Sequence, residues 1–250
     1  MKIFNQLSGL LIFVLIISSC GVSKKKSIVA VNLRCENLED PMAIDIANPL
    51  LSWNMQATKR GQSQSAYRIL VAKSEENLQN NIGDCWDTGE TKSDVSVNIK
   101  YAGMPLKSRD ALYWKVKIWN AEGEESDWSA ASKWEMSFLE PKDWQAKWIG
   151  LAEDENPLST KTSAAPYFRH EIDSTEKIKS AKVYVSGLGY YELYLNASKV
   201  GDEVLAPAQT NYTKGCCQSL YHYDDQSTTR VFYNTFDVTN LREKGKIPLE

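Results

Sequence analysis

The feature that most constrains this chain is the run Leu112-Tyr113-Trp114-Lys115-Val116-Lys117-Ile118-Trp119. Leu112, Trp114, Val116 and Ile118 recur every second residue, the period of a strand with one face in a core, and Lys115 and Lys117 are expected to face solvent. Shorter segments of the same kind precede it: Val29–Leu33, Leu50–Trp53, Ala66–Ala72 and Ser96–Ile99. Asp87-Thr88-Gly89 and Asn120-Ala121-Glu122-Gly123 read as turns, and Lys133–Phe138 as a closing strand. About seven strands within about 110 residues predict a β-sandwich of the immunoglobulin or fibronectin type III kind. Trp53 and Trp114 are the expected buried aromatic pair. Only Ser74–Asn80 has room for a helical turn or two.

After Glu140-Pro141-Lys142-Asp143 the pattern breaks, and residues 140–165 read as a linker with a polar stretch from Glu153 to Ser163. A second β-rich region occupies residues 166–250, with strands expected at Tyr167–Arg169, Ala181–Ser186, Tyr190–Leu195 and Val231–Phe236. Gly187-Leu188-Gly189 falls between two of them. A dinucleotide loop needs a third glycine three residues later, where this chain has Glu192, and a helix after it, where this chain alternates with period two. Gly-Leu-Gly is therefore expected to join Ala181–Ser186 to Tyr190–Leu195 as a β-hairpin. The fold class that follows is all-β: a fibronectin type III/immunoglobulin-like sandwich over residues 29–139, then a second β-rich region.

The formal net charge of −3 gives no basic footprint for nucleic acid. Eight Trp and twelve Tyr serve first as core aromatics and second as platforms for sugar rings. Trp119, Trp128 and Tyr190 are the candidates for carbohydrate stacking, each set against ordinary packing at a sandwich edge. Glu122, Glu124, Glu125 and Asp224-Asp225 read as solvated loop carboxylates, so no catalytic residue is assigned.

The N-terminus carries Lys2, an apolar run from Leu10 to Ile17, and Ser18-Ser19-Cys20. Residues 1–19 read as an export signal too short for a confident membrane span. Ile17-Ser18-Ser19-Cys20 resembles a bacterial lipobox, which implies cleavage before Cys20, acylation of its thiol and a membrane anchor. The alternative is an ordinary signal peptide with an incidental cysteine. Residues 20–28 form the tether. Export permits disulfides, and Cys35, Cys85, Cys216 and Cys217 allow three pairings or none. No cysteine spacing matches a zinc site, and neither metal nor cofactor is expected.

The stretches LYWKVKIWNAEGEESDWS, DWQAKWIG, PYFRHEI, VSGLGYYELYLNASKVGDEVLAPAQTNY and VFYNTFDVT resemble the N-terminal modules of bacterial α-L-rhamnosidases, glycoside hydrolase family 78. The resemblance runs from about Val29 to Leu241. It implies a fibronectin-like sandwich followed by a jelly-roll-like one, then an (α/α)6 barrel that hydrolyses terminal α-L-rhamnose with inversion, using two carboxylates. No helix-rich barrel is written in these residues, so the catalytic carboxylates are expected elsewhere, and rhamnose-containing glycans are partners only through a complete enzyme. Two departures from the family's pattern are an insertion at Gly215–Thr229 and a tail, REKGKIPLE, where further strands belong. The insertion holds Cys216, Cys217, His222, Asp224 and Asp225 without a defensible ligand spacing. The ending is expected to leave a sheet edge of the second sandwich unpaired, and a truncated or frame-shifted gene product would account for both departures. The competing function is a stand-alone carbohydrate-binding or adhesion lipoprotein.

Overall fold

The computed structural model describes residues 26–150, 165–173, 178–209, 231–241 and 246–249. Cys20, the Gly215–Thr229 insertion, Cys216 and Cys217 lie outside the described residues.

The first sandwich contains β1 (Ile28–Cys35), β2 (Leu50–Ala57), β3 (Gln64–Ala72), α1 (Glu75–Gln79), β4 (Trp86–Asp87), β5 (Thr91–Lys92), β6 (Ile99–Lys100), β7 (Ala111–Asn120) and β8 (Ser132–Glu135). One sheet has the order β1-β2-β6 and the other β4-β3-β7-β8, with β5 also on β3; all the pairings are antiparallel. The long β3–β7 ladder sets Ile69 opposite Val116 and Val71 opposite Trp114, so the inward side chains of both strands meet on one face. Leu112, Trp114, Val116 and Ile118 are wholly buried, as their spacing predicts.

Trp53 and Trp114 are both buried, each against a different ring. Trp53 meets Tyr67 edge-on at 5.2 Å, and Trp114 meets Trp134 at 6.5 Å. The Trp53 indole donates to Gln64 Oε1 at 3.0 Å, and the Gln64 amide donates in turn to the carbonyls of Ser93 and Val95. This relay satisfies a buried side-chain amide, which otherwise costs about 1–3 kcal/mol. The Trp114 indole N–H is buried without a hydrogen-bond partner.

Helix α1 forms where expected. Ser74 is its N-cap, accepting from the Asn77 N–H at 3.1 Å, and Leu78 is its one buried residue. The expected strand at Ser96–Ile99 shrinks to Ile99–Lys100, and Asn98, just before it, takes a positive φ of 55° outside the β region. The segment stays tied to β2: Trp53 N–H donates to Ser96, and Asn98 N–H donates to Ser52 Oγ. Lys115 also differs from expectation. It is 8 % exposed, with its amine donating to Asn81 Oδ1 at 2.7 Å.

The second region contains β9 (His170–Asp173), β10 (Lys182–Ser186), β11 (Leu193–Leu195), β12 (Ser198–Val200), β13 (Tyr233–Asp237) and β14 (Lys246–Leu249). Its first strand begins at His170, not at Tyr167. The described strands form a two-stranded β10–β13 ribbon and a sheet of order β12-β11-β14-β9. Gly-Leu-Gly does not close a hairpin. Strand β10 pairs with β13, while β11 pairs with β12 and β14, so the glycines carry the chain from one sheet to the other. The tight hairpin is one step later, at Asn196 and Ala197, both with φ near 50–62° as a two-residue primed turn demands. Among the described residues the main buried apolar cluster here is Leu195, Val200 and Val238, against a cluster of eighteen in the first sandwich.

Candidate functional site

Alternation along β7 turns Tyr113, Lys115, Lys117 and Trp119 away from the sandwich core. Register with β3 sets Arg68 opposite Lys117 and Ala66 opposite Trp119 on the same outer face. Trp128 lies over this face. Lys115 Nζ is 5.0 Å, Lys117 Nζ 5.1 Å and Arg68 Cζ 5.9 Å from its ring centroid. Each cation has a second partner. Arg68 holds Asp87 through two hydrogen bonds of 2.9 and 2.7 Å, Lys117 faces Glu125 at 3.6 Å, and Lys115 donates to Asn81. The Arg68 guanidinium keeps the Asp87 carboxyl below the usual carboxylate range. Burial, reinforced by Lys117, pushes the Lys115 ammonium down.

Trp119 and Trp128 thus share one face of the first sandwich, both half-buried, with Trp128 engaged by the chain's own cations. Tyr190 is in the second region and 60 % exposed. The three sugar-stacking candidates do not converge on one surface.

The acidic turn residues hold structure. Glu124 accepts from Ser27 Oγ at 2.6 Å, and its N–H donates to Asn120 Oδ1. A groove of about 310 Å³ runs between β1 and the start of β8, lined by Glu39 and Asp40 among others. Asp40 Oδ1 is already committed, accepting from Ser132 Oγ and the Lys133 N–H. Among the described residues no three His, Cys, Asp or Glu side chains converge as a metal set. Cys35 and Cys85 are buried free thiols, and burial pushes the Cys35 thiol up to about 12, which keeps it protonated and inert.

The segment read as a linker contributes packing that the sequence did not announce. Trp144 meets Phe138 at 5.3 Å and Tyr233 at 5.3 Å, and Phe138 lies 4.6 Å from Tyr184. Phe138 belongs to the end of the first sandwich, and Tyr184 and Tyr233 sit on β10 and β13 of the second. Ser137 Oγ hydrogen-bonds Tyr233 OH, and the Lys182 ammonium pairs with Glu135 Oε2, which is otherwise without a hydrogen bond. Burial lowers Lys182, with Asp237 opposing. An aromatic cluster plus a half-buried ion pair therefore joins the two β units.

Residues 30–140 match the Rha78A-like N-terminal immunoglobulin domain, and residues 176–247 match the α-L-rhamnosidase N-terminal domain. The chain corresponds to the N-terminal region of an α-L-rhamnosidase. An α-L-rhamnosidase of Formosa agariphila is 37 % identical over 224 residues, which cover 83 % of this chain and 22 % of that protein. One from Alteromonas sp. is 31 % identical over 214 residues, covering 84 % and 22 %. The solved α-L-rhamnosidase of Dictyoglumus thermophilum superposes with a TM-score of 0.73 at 33 % identity, over 88 % of this chain and 24 % of that one. That of Aspergillus terreus gives 0.68 at 25 %, over 89 % and 23 %. This chain thus spans less than a quarter of the length of these relatives, and its two β units match domains at their N-terminal ends.

Proposed function

We propose that this chain supplies the accessory β-domains of an inverting α-L-rhamnosidase, holding and shielding a catalytic part that removes terminal α-L-rhamnose from glycans. The observation that carries this reading is the joint match of both units, in order, to α-L-rhamnosidase N-terminal domains. The geometry agrees. Asp40, Asp87, Glu124 and Glu125 of the first sandwich are engaged in hydrogen bonds or ion pairs, and an inverting pair needs two carboxyl groups about 6.5–9.5 Å apart around a water in a sugar-sized cleft. The aromatic junction gives the two units a fixed relation, as a support requires.

The same proposal includes export and anchoring. Lys2, the apolar run and Cys20 support cleavage before Cys20 and a lipid-tethered mature protein in the periplasm or on the cell surface. Rhamnose-containing glycans would then be met outside the cytoplasm.

The test is a chimera in which this chain replaces the matched N-terminal segment of the Formosa agariphila enzyme. Hydrolysis of an aryl α-L-rhamnoside at a rate within about tenfold of that enzyme, against loss when the segment is simply deleted, is the expected result. A chimera no better than the deletion would refute the reading.

A further inference from the structure

Two loops of the second unit meet in a short antiparallel bridge. The Tyr191 N–H donates to the Ala206 carbonyl at 2.8 Å, and Tyr191 pairs with Ala206. Tyr191 OH donates to Asn234 Oδ1 at 3.0 Å, and Ala206 is buried, so this pair faces the body of the domain. Residues flanking a bridge pair point to the opposite face, which turns Tyr190 and Leu205 outward. Gly187 lets the first of these loops fold tightly on itself: a Cβ there would stand 2.8 Å from the Gly189 carbonyl oxygen and 3.2 Å from the Tyr191 ring. The outcome is an apolar rim in which Leu188 is 63 %, Tyr190 60 %, Val204 82 % and Leu205 62 % exposed.

Other exposed large apolar side chains among the described residues are single or fall in sequence neighbours such as Val95/Val97 and Trp148/Ile149, whereas here four fall on two loops tied by a backbone hydrogen bond. Grouped exposure of this kind marks an interaction surface. Leu188, Val204 and Leu205 offer no hydrogen bonds and no flat ring, so the rim suits a protein surface better than a sugar. Asp202, Glu203 and the Glu192–Lys199 pair form a polar margin, the anatomy of a protein interface.

We infer that the rim formed by Leu188, Tyr190, Val204 and Leu205 is where this region docks on the catalytic part of an α-L-rhamnosidase. The inference rests on the accessory reading above. Its support is a matter of length: this chain covers 22 % of the Formosa agariphila relative, leaving roughly four-fifths of that polypeptide to be placed against it. The joined β units already bury Phe138, Tyr184 and Tyr233 against each other, so the junction is not the surface left over.

The double substitution Leu188→Asp/Leu205→Asp tests this in two contexts, the 250-residue chain alone and the chimera with the Formosa agariphila catalytic part. In the isolated chain both side chains are solvated, and Tm is expected to move by less than about 1 °C. In the chimera it is expected to fall by about 4 °C or more. Equal shifts in both contexts, or none in the chimera, would overturn the docking site while leaving the accessory function intact. Self-association of the isolated chain that the double substitution abolishes would also overturn it, making a second copy the occupant. An unsubstituted chimera without activity would remove the functional reading and this inference together.

Discussion

Phe138 and Tyr184 lie with ring centroids 4.6 Å apart, one at the end of the first sandwich and the other on the first strand of the β10–β13 ribbon. Trp144 and Tyr233 complete the cluster. Adjacent domains move independently unless their shared surface is substantial and apolar. This contact is apolar and further closed by the Glu135–Lys182 ion pair. Phe138→Ala is expected to cost about 3 kcal/mol, at the low end for a packed Phe because the ring is only half-buried. Scanning calorimetry should show one cooperative transition for the unsubstituted chain and two for the variant. A single transition in both would mean that the cluster does not couple the units.

The Trp53–Gln64 relay makes a separate prediction. Trp53→Phe keeps most of the ring but leaves Gln64 Oε1 without its 3.0 Å donor in a buried setting. The expected loss is about 1–3 kcal/mol, seen as a lower urea midpoint at unchanged slope. Gln64→Leu should cost a similar amount by stranding the Trp53 N–H, and the double variant should cost less than the sum.

Lys115 gives a pH dependence. Its folded pKa is lowered by burial and then by Lys117, below the ordinary lysine value of 10.5. The unfolded chain therefore holds this proton more tightly than the folded chain does. The charge penalty is complete below the folded pKa and is relieved as pH rises toward 10.5, so this group's contribution makes stability climb across that alkaline window. Lys115→Met should flatten the climb in chemical denaturation measured from neutral to alkaline pH. An unchanged slope would show that Lys115 titrates normally in the fold.

Anchoring at Cys20 predicts that cells expressing the full sequence and fed labelled palmitate yield a labelled, membrane-associated protein. Cys20→Ala should lose the label and the association together. Label retained in the variant would place the acyl chain elsewhere.

What the sequence revealed follows the reach of its signals. The period-two run at Leu112–Ile118 and the short Ser74–Asn80 stretch are local, and both the β7 core face and α1 form where those residues put them. Gly187-Leu188-Gly189 misled because a turn-like tripeptide does not say which strands it joins. The partner of β10 is Tyr233–Asp237, some fifty residues away, and only tertiary packing selects it. Lys115 misled for a related reason: its alternation is right, but Trp128 and Asn81 arrive from elsewhere to bury the outward face. Trp144 sat in a stretch whose Pro and acidic residues read as linker, and its role depends on two strands far along the chain. Of the sugar-stacking candidates, Tyr190 gained meaning from its neighbour across the Tyr191–Ala206 bridge, which no linear pattern contains.

That these domains support rhamnoside hydrolysis without performing it is tested by turnover of an aryl α-L-rhamnoside by the purified 250-residue chain, run beside the chimera at equal molar concentration. Activity is expected in the chimera and none above buffer for the chain alone. Sustained turnover by the chain alone, unaffected by further purification, would contradict it.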